Sequence, residues 1–167
     1  MSKTLFLVRH AKSSWSDPSL SDRDRPLNKR GRRSAPDMGG RLALKGHQPD
    51  LIISSPAKRA RMTAKIIAKE LGYDKSEIMT DERMYFSGVG GMLTLLEGVD
   101  DRYHKVMIVG HNPAMTSLMN SLCDASVDNM PTCAVAVIDY KMMSWSALRS
   151  IEGDLQDYDF PKNTASS

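Results

Sequence analysis

The 167-residue chain has only two cysteines, Cys123 and Cys133. They form neither a C-x-x-C pair nor a zinc spacing, which excludes a disulfide-stapled scaffold and makes a reducing cytoplasm the expected compartment. No stretch has the apolar length to cross a membrane, and no secretory apolar segment is present. Aromatic residues are scarce, with three Phe and two Trp, so a surface that stacks nucleic-acid bases has little to build on. Acidic residues are rare in one half: residues 1–70 carry 16 Lys and Arg against 6 Asp and Glu, whereas residues 71–167 carry 7 against 14. A half so basic suits nucleic acid, anionic lipid or an anionic substrate. With few stacking rings, a pocket for an anionic substrate is the narrower reading.

A hydrophobic content of 41% fits one domain with a real core, expected over residues 1–162 with a frayed tail at 163–167. The apolar run from Thr4 to Val8 ends abruptly in Arg9 and His10. Phe6 and Val8 predict a strand buried on both faces, as in parallel sheets covered by helices. Asp50 to Ser55 predicts a second such strand, with Ser55-Pro56 as cap and first-position proline of a helix ending near Gly72. That helix carries Arg59 in its first turn and turns Met62, Ile66 and Ile67 toward the sheet. Lys105 to Gly110 predicts another strand, followed by His111-Asn112-Pro113 and a helical stripe of Met115, Leu118, Met119 and Leu122.

The remaining segments are less sharply marked. Ala11 to Pro26 is a polar loop longer than the usual connection. Asn28 caps a helix reaching Gly46, which is either kinked at Pro36 or regular only from there; its Arg30, Arg32 and Arg33 read as a solvated face. Glu77 to Tyr85 predicts a third strand, and Ser87 caps a helix through Leu93, Leu95 and Leu96. Gly88-x-Gly90 lacks the third glycine of a dinucleotide loop and reads as a mobile loop. Ala134 to Tyr140 alternates like a fifth strand, and Trp145 to Ile151 predicts a further one.

Three strands thus end in polar residues of one kind: Arg9 and His10, Ser54 and Ser55 with Arg59 beyond, and Gly110 and His111. In a parallel sheet these ends converge on one edge, where ligands of such sheets bind. Two arginine forks and two helix N-termini there suit a phosphate dianion. A neutral imidazole is a competent nucleophile toward phosphorus and a second imidazole can donate a proton, so phosphoryl transfer through a phosphohistidine fits the set. The alternative is a pair of hydrogen-bonded core histidines. Zinc fits poorly, because Arg9 and Arg59 repel a cation and no third ligand has suitable spacing.

Leu7-Val8-Arg9-His10, Ser54-Ser55-Pro56-x-x-Arg59-Ala60-x-x-Thr63-Ala64 and Val109-Gly110-His111-Asn112-Pro113 resemble the three signatures of the histidine phosphatase superfamily. Lys12-Ser13-Ser14-Trp15, Arg23-x-Arg25-Pro26-Leu27-x-x-Arg30-Gly31 and the short length resemble its phosphohistidine phosphatase branch, SixA. The resemblance implies an α/β, phosphoglycerate-mutase-like fold, a three-layer α/β/α sandwich with a mostly parallel central sheet of five to six strands. It implies a cytoplasmic phosphatase of signal transduction that acts on phosphohistidine in a protein such as a histidine phosphotransfer domain, or alternatively on a small phosphomonoester. It implies a metal-free reaction, and with the composition above no cofactor, nucleic-acid or membrane partner is expected. His10 would carry the phosphoryl group covalently, Arg9, Arg59 and His111 would bind it, and Arg25, Ser16 and Asn112 are further substrate-binding candidates.

The chain departs from the family pattern in places. Ala11-Lys12-Ser13 stands where many relatives have Gly-Glu-Thr, and Ser16 where they often place a phosphate-binding Asn. The usual Glu proton donor is not recognisable: Asp81 and Glu82 lie in its region, but Phe86 aligns with its position. A missing donor fits an imidazole leaving group, which protonates near pH ~6.5 and needs less acid help than an alkoxide.

Overall fold

The computed structural model describes residues 2–164, so most of the frayed-tail expectation, residues 165–167, lies outside the described residues. The chain runs through β1 (Lys3–Arg9), α1 (Lys29–Leu44), β2 (Leu51–Ser54), α2 (Lys58–Leu71), β3 (Met79–Thr80), α3 (Arg83–Phe86), α4 (Gly88–Glu97), β4 (Lys105–Gly110), α5 (Ala114–Leu122), β5 (Val135–Tyr140) and β6 (Asp154–Asp159). The strands form one sheet in the order β3-β2-β4-β1-β5-β6. β3, β2, β4 and β1 are parallel neighbours, whereas β5 runs antiparallel to both β1 and β6. Among the described residues, no helix is long and apolar enough to cross a membrane.

Alternation along β1 separates two cores. Leu5 and Leu7 join Ile53, Ile108 and the residues of α4 and α5, including Met92, Leu96, Met115 and Leu118. Phe6 and Val8 join Ile52, Met107, Val109 and the apolar faces of α1 and α2. Both faces of the central strands are dry, so these strands read as continuous apolar runs. Helices on each side complete the three-layer sandwich.

Several local expectations are revised. α1 runs unbroken through Pro36, and Asn28 caps it, its Oδ1 accepting from Gly31 N–H at 2.8 Å. α2 begins at Lys58 rather than Pro56, with the Ser55 hydroxyl accepting from Ala57 N–H at 3.2 Å. Its buried face is Ala60, Thr63, Ala64, Ile67, Ala68 and Leu71, leaving Met62 and Ile66 only partly covered. The small residues win because α1 packs close: a Cβ on Gly39 would lie 2.9 Å from Glu70 Cβ. The third strand shrinks to Met79–Thr80 between a 3-10 turn and α3. Gly88 and Gly90 belong to the first turn of α4, not to a loop, and Ser87 makes no side-chain cap bond. Trp145–Ser150 is a 3-10 helix, and the last strand lies further on, at β6.

The loop after β1 is held by α1. Lys12 carbonyl accepts from Asn28 N–H at 2.9 Å, and any Cβ on Gly31 would collide with that same oxygen. Glycine is required there by proximity rather than by its backbone angles.

Candidate active site

The parallel register places Arg9 beside Gly110 and Ser54 beside Val109, so the residues following β1, β2 and β4 meet at one edge. The backbone at Arg9 and His10 is fixed from both sides. His10 N–H donates to Gly110 carbonyl at 3.0 Å, and Cys133 N–H donates to the Arg9 and His10 carbonyls at 3.0 and 3.1 Å.

His10 is 8% exposed, and its Nδ1 lies 2.7 Å from the Ala11 carbonyl. A carbonyl only accepts, so Nδ1 carries the proton and Nε2 keeps its lone pair. Burial pushes the imidazole pKa down to about 3; the Ala11 bond opposes this, and the nearby His111, Arg59 and Arg9 add to it. The ring is therefore neutral at physiological pH.

The His111 ring lies 5.0 Å from it, centroid to centroid. Because β2 and β4 are adjacent, Ser55 Oγ reaches His111 Nε2 at 2.8 Å. Burial, followed by the Arg59 charge, lowers the His111 pKa to about 4. Its Nδ1 is buried with no partner among the described residues. Tyr85 packs edge-on against it with ring centroids 5.5 Å apart.

Three arginines line the same cavity of about 400 Å³, which also holds His10, His111 and Asn112. Arg9 donates from Nη1 to Met130 carbonyl at 2.8 Å. Arg59, 5% exposed, donates from Nη1 to the Asp22 carbonyl at 2.5 Å and from Nη2 to Asp22 Oδ2 at 3.0 Å. Arg25 donates from Nη1 to Ser13 Oγ at 2.8 Å and from Nη2 to Asp22 Oδ1 at 3.1 Å, and its guanidinium stacks 3.5 Å above the Trp15 ring. Arg9 and Arg59 each keep a buried Nε–H without an acceptor among the described residues. Buried donors left unpaired are costly, and the Nη groups of these arginines beside the cavity suit an oxyanion.

Six of the seven candidate residues from the sequence thus come together. The exception is Ser16, which is exposed and bonded through its Oγ to Ser14 Oγ at 2.8 Å; Ser13 lines the cavity in its place. Asn112 lines the wall with its amide already committed. Its Nδ2 donates to Asn129 Oδ1 and Met130 carbonyl, and its Oδ1 accepts from Thr116 N–H and Oγ1. Asp81 pairs with Arg83 at 2.8 Å and Glu82 with Arg23 at 2.7 Å, and neither lines the cavity.

Asp22 and Tyr85 were not legible as site residues. Tyr85 Oη donates to Asp22 Oδ2 at 2.5 Å; this bond, with those from Arg59 and Arg25, holds the Asp22 carboxyl well below the usual carboxylate range. Asp22 stands three positions before Arg25, but nothing local to the sequence brings it to Arg59 or Tyr85. Among the described residues, no three His, Cys, Asp or Glu side chains are grouped as a metal site would require.

The chain is similar to known proteins along most of its length. A family model of the histidine phosphatase superfamily (branch 1) matches residues 5–85. A chloroplastic Arabidopsis thaliana protein is 31% identical over 161 residues, spanning 92% of this chain and 73% of that one. The Agrobacterium tumefaciens protein designated phosphohistidine phosphatase SixA superposes with a TM-score of 0.81 at 30% identity, covering 95% of this chain and 98% of its own. The protein histidine phosphatase SixA in complex with tungstate shares the fold at a TM-score of 0.79 and 21% identity, over 95% of this chain and 97% of that chain. With two strand-end histidines among arginines on this fold, the chain belongs to the histidine phosphatase superfamily, in its SixA-type branch, and is a phosphatase.

Proposed function

We propose that the protein removes phosphoryl groups from phosphohistidine on a protein, through a covalent phosphohistidine at His10. In the first step His10 Nε2 attacks phosphorus while the P–N bond to the substrate imidazole breaks and its electron pair returns to that ring. In the second, water attacks phosphorus, the bond to His10 Nε2 breaks, and inorganic phosphate leaves. The Ala11 carbonyl keeps a proton on Nδ1 of His10, so the ring departs as neutral imidazole rather than as an anion. Arg9, Arg25 and Arg59 neutralise the phosphoryl oxygens, and their forks favour the planar transition state.

The observation that carries the substrate class is the commitment of every nearby carboxylate to an arginine. Asp22 is held by Arg59 and Arg25, Glu82 by Arg23 and Asp81 by Arg83. An alkoxide leaving group needs a protonated acid close by, whereas an imidazole already protonated on its far nitrogen does not. Turnover of a phosphohistidine protein, measured beside a panel of sugar phosphates, tests this reading. Faster hydrolysis of any sugar phosphate would move the assignment to small phosphomonoesters.

A further inference from the structure

A second cavity of about 450 Å³ adjoins the first and shares Arg9, Lys12 and Thr132 with it. Its four cations come from three separate parts of the chain. Arg9 ends β1, Lys12 follows His10 by two residues, Arg30 lies in the first turn of α1, and Lys162 follows β6. Among the described residues, no Asp or Glu lines it. Among the described residues, none of the four cations makes an ion pair. Asp37, Asp157 and Asp159, on the same elements or just before Lys162, are taken by Arg41 and Lys45.

This arrangement works against the fold. α1 opens with Lys29, Arg30, Arg32 and Arg33 and has no acidic residue in its first turn, although the positive end of a helix dipole disfavours cations. A local rule broken with no compensating pair points to a ligand that supplies the missing charge. The phosphoryl cavity already has three arginines, Arg9 among them, and Lys12, so Arg30 and Lys162 are not needed for one phosphoryl group. Whatever is attached to that group must leave the first cavity, and of the neighbouring cavities the one that shares Arg9, Lys12 and Thr132 with it is the most cationic. Pro131, Phe160 and Pro161 give it an apolar side, which suits aliphatic stems carrying a charged end.

We propose that this cavity receives carboxylate side chains flanking the phosphohistidine of the protein substrate, and so selects histidines in acidic surroundings. The assignment rests on the substrate class proposed above. Its test uses Arg30→Gln/Lys162→Gln and Arg30→Glu/Lys162→Glu, since neither residue lines the phosphoryl cavity. The substrates are two phosphohistidine peptides identical except for Glu or Gln at the flanking positions, with para-nitrophenyl phosphate as a probe too small to reach the second cavity. The wild type should prefer the Glu peptide by about tenfold in kcat/KM, mostly through KM, and lose the preference in about 0.5 M salt. The Gln variant should treat both peptides alike, the Glu variant should reverse the order, and all three proteins should hydrolyse the small ester equally. Absence of a preference in the wild type, or its survival in the Gln variant, overturns the proposal while leaving the phosphohistidine reading intact. If the ester is hydrolysed and neither peptide is, the phosphohistidine reading fails and the protein-flank assignment with it. In that case, tighter inhibition by propane-1,3-bisphosphonate than by propylphosphonate, lost in the Gln variant, would reassign the cavity to a second phosphate of a small substrate.

Discussion

Asp22 grips Arg59 twice, through its main-chain carbonyl at 2.5 Å and its carboxylate at 3.0 Å. The same carboxylate accepts from Arg25 and from Tyr85. An anion built into the chain therefore occupies donors that an incoming phosphoryl group would use. Asp22→Asn removes the charge and keeps the shape, so inorganic phosphate should inhibit this variant with a Ki lower than wild type by roughly three- to tenfold, the effect of removing one nearby like charge. A higher Ki would instead make Asp22 a positioning residue for Arg59.

His10 should carry phosphate during turnover. Rapid quench at neutral pH with labelled substrate should place the label on His10, and His10→Gln should lower turnover by roughly 10³-fold or more, as loss of a nucleophile does. Normal turnover in that variant would remove the covalent route.

Arg59→Ala should lower kcat by roughly 10²–10³, the scale of losing one preorganised donor in the transition state. Arg59→Lys should recover only part of it, because an ammonium cannot reproduce the fork. Steady-state kinetics on an aryl phosphate are sufficient, and full activity in Arg59→Ala would reduce the residue to a structural partner of Asp22.

Leaving-group dependence separates the two substrate classes. Across aryl and alkyl phosphates of graded leaving-group pKa, turnover should fall steeply as the leaving group becomes more basic, and Asp81→Asn and Glu82→Gln should leave the slope unchanged. A flat dependence that steepens in Glu82→Gln would make Glu82 a working acid despite its pairing with Arg23.

Stability should fall in mild acid because of the two site histidines. Their folded pKa values, about 3 for His10 and about 4 for His111, lie below the ordinary value near ~6.5. Above that value both states are neutral and the histidines contribute nothing to the pH dependence. As pH drops below it, the unfolded chain binds protons that the folded one refuses, at about 1.4 kcal/mol per pH unit for each histidine. Urea midpoints at about pH 7 and pH 5 should therefore differ less in His10→Asn/His111→Asn than in wild type. Equal differences would contradict the shifts.

The strands that position the site were legible because they are short apolar runs with an abrupt polar end. The ends of β1, β2 and β4 meet at one sheet edge, as expected for parallel strands, and Arg9, His10, Arg59 and His111 converge. The mostly parallel sheet was expected, but the direction of β5 was not legible, because burial on both faces gives it the same apolar run whether it lies parallel or antiparallel to β1. β6 escaped notice for the opposite reason: Asp154, Gln156 and Asp157 make it a polar edge strand. Trp145 and Leu148 read as a strand because they are fully buried, yet a 3-10 helix buries them equally well. Asp22 and Tyr85 were missed because their roles exist only across 63 residues of chain.

The seating of Gly31 and Asn28 on the Lys12 carbonyl bears on how the molecule breathes. The first turn of α1 and the loop after His10 share the Asn28–Lys12 hydrogen bond and an approach too close for a Cβ at Gly31, so opening of one should loosen the other. Amide exchange at Asn28, whose N–H donates to that carbonyl, should follow the larger opening of helix and loop as one cooperative unit rather than the fast fraying usual for a helix end. A side chain at position 31 would wedge the two apart, and exchange there would then report the loop alone.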